Sequence, residues 1–214
     1  MCAIQETHLT DSIDIIRESY SGKPYRFINL CTDNSHHGIG FVIDATFQCY
    51  YTPLNPIVCV LRLPHSNKKN LYLYNVYCPW KNLDENTEEI YSILDQELKH
   101  NAKNKFVLGD FNASIGSQHK NYSTNIGSFG KGEVNKNGKL LTDFLAQNNL
   151  YACNTFFRHK LAHVTTFVSN LKIKWRRNPI RKQIDFIVAH KNWKSCGKDA
   201  RSYSGTLTTS DHSS

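Results

Sequence analysis

Apolar and polar positions alternate in short blocks along this chain, and the blocks have the length of strands. Apolar runs recur at "CAIQ" (2–5), "GIGFVI" (38–43), "IVCVLRL" (57–63), "LYLYNVYC" (71–78), "FVLGD" (106–110), "LYACNTFF" (150–157) and "IDFIVA" (184–189). They are rich in Val, Ile, Tyr and Phe and are bounded by Asn, Pro or Gly, as strands are. Two stretches change period. From Asp84, which fits an N-cap, Ile90, Ile93, Leu94, Glu97 and Leu98 follow the helical spacing. Leu141, Phe144 and Leu145 do the same in "NGKLLTDFLAQNN" (137–149). No repeat, low-complexity tract or Pro/Gly/Ser linker divides the chain, so the pattern predicts an α/β protein with mostly antiparallel strands and covering helices.

Composition narrows this only slightly. A length of 214 residues suits one domain with a sizeable core. No apolar run approaches the roughly 20 residues that cross a bilayer, so no membrane partner is expected. "MCAIQETHLT" has neither a basic n-region nor a long apolar h-region, and no secretory signal is predicted. Seven cysteines (2, 31, 49, 59, 78, 153, 196) are irregularly spaced without a CxxC pair, which predicts a reduced intracellular protein and no structural zinc site. Charge changes the picture more. Residues 172–201 hold ten Lys or Arg against Asp185 and Asp199, a local excess equal to the whole net charge of +8. Clustered cations suit a polyanion, because they release condensed counterions on meeting phosphates. A solvated basic loop is the competing explanation.

The candidate chemistry lies at strand ends. In "VLGDFNASIG" (107–116) a strand over 106–109 would project Asp110 and Asn112 to one side, with Phe111 turned into the core. Gly109 would let another group approach closely. An acid–x–amide pair there suits holding a water and a phosphoryl oxygen together; Asp-x-Asn also builds turns. "CAIQETH" puts Glu6 after an apolar run, able to ligate a hard cation or simply to face solvent. "IDFIVA" places Asp185 at the start of an apolar strand, where a carboxylate needs a partner such as a histidine N–H. "TTSDHSS" sets Asp211 beside His212, a pair that also fits a helix cap and a surface residue. Together these residues suit Mg²⁺-assisted phosphodiester hydrolysis, with carboxylates positioning the ion and imidazole managing a proton. His36 and His37 are adjacent and badly placed to share a zinc ion. The G-x-G-x-x-G, P-loop and G-x-S-x-G motifs do not occur.

The ordered series "CAIQETHLT", "LYLYNVYCPW", "VLGDFNASIG", "TTFVSN", "KQIDFIVAHKNWKS" and "TSDH" resembles the endonuclease/exonuclease/phosphatase superfamily. The likeness is greatest to the apurinic-type endonuclease domain of RTE-like non-LTR retrotransposons and to craniofacial-development-like host proteins. It runs over nearly the whole chain, through "IGSFGKGEVNKNGKLLTDFLAQNNLYACNTFFRHK". The resemblance implies a DNase-like four-layered α/β sandwich, two mixed β-sheets flanked by helices. It implies Glu6 as a Mg²⁺ ligand, Mn²⁺ being an alternative ion, and Asp211 as a second metal-side carboxylate. Tyr77 would contact the scissile phosphate, and Asp110 would orient or deprotonate the attacking water. Asn112 would hold the nucleophile and a phosphoryl oxygen, and Thr166 would touch DNA. Asp185 would fix the tautomer of His212, whose imidazole stabilises the phosphorane or shuttles its proton.

The expected activity is DNA nicking for retrotransposition, with DNA as substrate and a reverse transcriptase domain or element RNA as partner in a full-length element. The expected address is intracellular, the nucleus ahead of the cytoplasm. Two other functions stay open: a catalytically dead nucleic-acid-binding remnant of the fold, and a phosphatase of the superfamily. The family starts with an Asn-bearing strand and a helix and ends in a closing strand. Residues 1–214 are accordingly expected to be a single domain lacking the first strand and helix and the last strand. The segment "NLKIKWRRNPIRKQ" (170–183) is longer and more basic than the family's turn. Arg176, Arg177, Arg181 and Lys182 are candidate DNA contacts, and Trp175 either stacks on a base or anchors the loop. Trp193 fits a packing aromatic.

Overall fold

Alternating β-branched and aromatic residues draw most of this chain into strands. The computed structural model describes residues 1–31, 38–65, 70–79, 85–100, 104–117, 123–169 and 179–203, and carries twelve strands and two α-helices among them. The chain folds as two units, Met1–Asp110 and Phe111–Ser214.

The first unit holds β1 (Cys2–Gln5), β2 (Ile13–Glu18), β3 (Pro24–Leu30), β4 (Ile39–Asp44), β5 (Tyr50–Asn55), β6 (Val58–Pro64), β7 (Asn70–Tyr77), α1 (Glu85–His100) and β8 (Lys105–Asp110). One sheet runs β1-β4-β3-β2, antiparallel throughout. In the other, β5, β6 and β7 are antiparallel neighbours and β8 joins β7 in parallel, from Tyr72↔Lys105 to Tyr77↔Asp110. Parallel neighbours need a crossover, and α1 lies between them in the chain. Ile90, Tyr91, Leu94 and Leu98 form the buried stripe of α1. The Lys105 ammonium reaches the Leu98 carbonyl at 2.6 Å, satisfying an orphan acceptor near the end of that helix.

The core of this unit follows from the period-two alternation of the strands. Ile28, Leu30, Ile39, Phe41 and Ile43 of one sheet share a buried cluster with Cys59, Leu61, Leu73 and Tyr77 of the other. Tyr74 and Val76, on the opposite face of β7, are fully buried as well. Gly109 is a necessity of this packing: a Cβ there would run into the Val76 carbonyl.

The second unit holds α2 (Lys136–Gln147), β9 (Leu150–Ala152), β10 (Phe167–Ser169), β11 (Ile180–Lys182) and β12 (Asp185–His190). β9 pairs antiparallel with β12, and β10 with β11. Leu141, Phe144 and Leu145 are buried along α2, which packs on β9.

Two expectations change. The run over 150–157 is a strand only to Ala152, after which residues Cys153–Thr155 form a 3₁₀ turn. The Thr155 hydroxyl donates to the Ala152 carbonyl at 2.7 Å and closes that turn. The Asn154 side chain then replaces the lost ladder, bonding the Asp185 carbonyl at 3.1 Å and the Ile187 amide at 2.9 Å. Second, the period-two alternation of the strand does not extend to Asn112. The strand stops at Asp110, and Asn112 is in the left-handed region at φ 44°. None of the seven cysteines is in a disulfide.

Candidate active site

In the first unit, three side chains named from the sequence meet at strand ends. β7 and β8 run parallel, so Tyr77 and Asp110 close their carboxyl ends side by side in register. β1 packs against both strands and delivers Glu6 one residue past its last position. The Tyr77 hydroxyl donates to Glu6 Oε1. Tyr77 and Asp110 are buried, each 4% exposed, so this chemistry is set in a poorly solvated place. Burial pushes the phenol pKa well above its ordinary value, and the negative charges of Glu6 and Asp110 push it the same way. Tyr77 is therefore a fixed neutral donor beside two carboxylates.

The turn bearing Glu6 is itself unusual. Glu6 and His8 have φ values of 51° and 53°, a region that side-chain-bearing residues seldom occupy. Such strain collects where surrounding structure enforces it.

In the second unit, Asn112 follows Phe111, which is fully buried and donates its amide to the Ile184 carbonyl at 3.0 Å. The carbonyl of Asn112 accepts from Asn135 Nδ2 at 3.0 Å. Asn135 also caps α2: its Oδ1 accepts from Gly138 N at 2.7 Å and from Ser114 N at 2.9 Å. The loop around Asn112 is thereby tied to a helix N-terminus. Thr166 is brought to Asp185. Its hydroxyl oxygen accepts from the amides of Ile184 and Asp185 at 3.0 and 3.2 Å, leaving the hydroxyl proton for a further acceptor. Arg181 and Lys182 are exposed on β11.

Trp175, Arg176, Arg177, Asp211 and His212 lie outside the described residues, as do His36, His37 and Asp84. Of the remaining basic residues, Lys191 donates to Thr124 at 2.9 Å and Lys194 stands 3.9 Å over the Phe156 ring. Arg201 pairs with Asp199 at 3.2 Å. Part of the basic surplus is thus committed to local structure.

Among the described residues, no three His, Cys, Asp or Glu side chains cluster to hold a metal ion. Two carboxylates bearing on one phenol are nevertheless hard oxygen donors, which suits Mg²⁺ or Mn²⁺ and not a zinc site built on His or Cys. Sequence reasoning missed Asn75. It is fully buried on β7, its side chain on the face of Leu73 and Tyr77, and it bonds Gln5, Ile4 and Gly40. The signal was present: an amide at an inward position of an apolar strand must find partners. Asn135 was also missed, two residues ahead of the predicted helix, although Asn is a favoured N-cap.

The fold is α/β with mixed sheets and few helices, that of the DNase-like endonuclease/exonuclease/phosphatase proteins. The chain is similar to the endonuclease domain of TRAS1, a telomere-specific non-LTR retrotransposon. There the TM-score is 0.62 at 16% identity, over 88% of this chain and 77% of that one. It is similar to the AP endonuclease LMAP from Leishmania major, at TM-score 0.59 and 15% identity over 88% and 68% of the two chains. A Neisseria 3′ phosphatase, NExo, solved bound to a product DNA hairpin, gives TM-score 0.59 at 16% identity over 88% and 77%. By sequence the chain is 30% identical over 148 residues to craniofacial development protein 2 of Tragulus javanicus, 67% of this chain and 24% of that protein. The Bos taurus protein of the same name matches equally over 148 residues, 23% of its length. The chain thus spans about a quarter of the length of the curated relatives it matches. No family model matches it.

Proposed function

We propose that this chain is a divalent-metal-dependent phosphodiesterase that nicks DNA, of the kind that opens target sites for retrotransposition. The meeting of Glu6 and Tyr77, with Asp110 close enough to act on the same phenol, is the observation that carries this reading. The similarity to a retrotransposon endonuclease domain and to an AP endonuclease supports it.

In this reading Tyr77, held neutral, turns its hydroxyl proton from Glu6 to a phosphoryl oxygen when DNA binds. Asp110 accepts a proton from the attacking water as its oxygen bonds to phosphorus. The phosphorus–O3′ bond breaks, and the leaving oxygen takes up a proton to become a 3′-hydroxyl. Glu6, with Asp211, would hold Mg²⁺ or Mn²⁺, which when bound neutralises charge gathering on the phosphate. In the second unit Asn112 holds a phosphoryl oxygen. Asp185 fixes the tautomer of His212, which stabilises the phosphorane or returns a proton. Thr166, Trp175, Arg176, Arg177, Arg181 and Lys182 contact the DNA, and a reverse transcriptase domain or element RNA is the partner that uses the new 3′ end. A nuclear address follows from such a substrate.

Supercoiled plasmid tests this. The protein nicks it with Mg²⁺, and chelation abolishes nicking. Asp110→Asn and His212→Ala remove activity, and Tyr77→Phe lowers the single-turnover rate by about 10²-fold, the usual loss for one preset donor. Nicking that survives chelator and Asp110→Asn would refute the assignment. Release of phosphate from 3′-phosphorylated DNA with no plasmid nicking would replace it with a phosphatase, and salt-sensitive DNA binding without turnover would leave a binding module.

A further inference from the structure

Glu6 sits between two residues whose side chains are each held by a buried asparagine from another strand. On one side, Gln5 Nε2 donates to Asn75 Oδ1 at 2.5 Å. Asn75 Nδ2 spends both hydrogens on backbone carbonyls, Ile4 at 2.9 Å and Gly40 at 2.8 Å. On the other side, the Thr7 hydroxyl donates to Asn29 Oδ1 at 2.6 Å, and Asn29 Nδ2 donates to the Asp11 carbonyl at 2.7 Å. The Thr7 amide also donates to the Gly38 carbonyl at 3.1 Å, and a Cβ on Gly38 would collide with the Thr7 hydroxyl. Both asparagines are 0% exposed.

We propose that Asn75 and Asn29 are positioning residues that hold the backbone at residues 5 and 7, presetting the Glu6 carboxylate at the Tyr77 hydroxyl. This rests on the reading of Glu6 as a metal-side carboxylate. Three observations carry it. A leucine between Leu73 and Tyr77 would bury more apolar surface than an amide, so the amide is retained for its hydrogen bonds. Among the described residues β1 is the terminal strand of its sheet and pairs with β4, and the Asn75 bond to the Ile4 carbonyl ties it from outside that ladder. Asn75 and Tyr77 are two residues apart on one strand face, so the pleat fixes the spacing between the clamp and the group that Glu6 meets. A left-handed Glu6 held from both sides is a carboxylate placed before any ion arrives.

The test uses the whole chain and Mn²⁺ alone as probe, followed by electron paramagnetic resonance, beside hydrogen exchange at the amides of residues 3–7. Asn75→Ser is compared with Asn125→Ser. Asn125 is a buried amide in the second unit that bonds the Leu145 and Leu150 carbonyls. Thr7→Val, which removes the hydroxyl bond to Asn29 and the long 3.5 Å bond from the Leu9 amide, is the milder variant should Asn75→Ser fail to fold. The expected result is faster exchange at residues 3–7 and Mn²⁺ affinity weaker by roughly tenfold in Asn75→Ser, with a smaller loss in Thr7→Val. Asn125→Ser lowers the melting temperature and leaves Mn²⁺ affinity unchanged. Folded Asn75→Ser or Thr7→Val with native exchange at residues 3–7 overturns the proposal, as does equal Mn²⁺ loss in Asn125→Ser. If the wild-type chain binds no Mn²⁺ while exchange responds as expected, the metal reading of Glu6 falls and the clamp on β1 stands.

Discussion

A tyrosine locked between carboxylates keeps its proton, and this has a consequence for stability that does not depend on activity. Burial, more than the neighbouring charges, raises the Tyr77 phenol. The thiols of Cys59 and Cys78 and the phenol of Tyr91 are raised by burial too, and the Cys153 thiol is pushed up to about 11. The folded chain therefore holds protons that the unfolded chain releases at ordinary values, about 8.5 for thiols and 10 for phenols. The unfolded state binds fewer protons in that range, so stability is fully present below pH 8 and falls as pH rises further. The urea midpoint should be clearly lower at pH 10.5 than at pH 7.5, with the slope unchanged; equal midpoints would contradict the burial of these groups. Tyr77→Phe removes one of the titrating groups and should lessen the drop above pH 10.

Elements carry the side chains of the second unit, and α2 shows how. Its apolar stripe is buried, while its N-terminus is finished by Asn135, which also holds the Ser114 amide and the Asn112 carbonyl. The two jobs use different atoms of one amide. Asn135→Asp keeps the acceptor that caps the helix and loses the donor to Asn112; Asn135→Ala loses both. The alanine variant should be less stable by about 1 kcal/mol, and the aspartate variant should melt near wild type. Both should nick plasmid roughly tenfold more slowly, because a displaced Asn112 no longer meets its phosphate oxygen. Wild-type nicking by the aspartate variant would show that the helix cap is the sole task of Asn135. At the same scale, the hairpin of β2 and β3 is stapled by Arg26, which forks onto both oxygens of Asp14 at 2.7 Å. Tyr51 on β5 adds a hydroxyl to Asp14 at 3.0 Å. Charged residues inside these strands break the apolar runs, which is why the hydrophobic pattern passed over them.

The whole molecule carries +8, with its surplus placed late in the chain. Lys191, Lys194 and Arg201 have local partners, whereas Arg181 and Lys182 are exposed on β11. If these two neutralise phosphates, the Arg181→Ala/Lys182→Ala double variant should bind duplex DNA with a salt slope shallower by about 2, one for each lost contact. An unchanged slope would move the DNA-binding surface elsewhere. The sequence by itself determined the α/β class, seven strand locations, both helices, and the order of the acid, amide and imidazole motifs. These are written in neighbouring residues, because strand and helix periods are local properties. It could not supply the bond from Tyr77 to Glu6 or those from Asn75 to β1, since these join residues about 70 positions apart. Nor could it supply the left-handed turns at Glu6 and Asn112, or the early end of β9 at Ala152, where the Thr155 hydroxyl closes a 3₁₀ turn. Tertiary structure decided those, because only a closed core makes a buried amide or a strained turn cheaper to keep than to release.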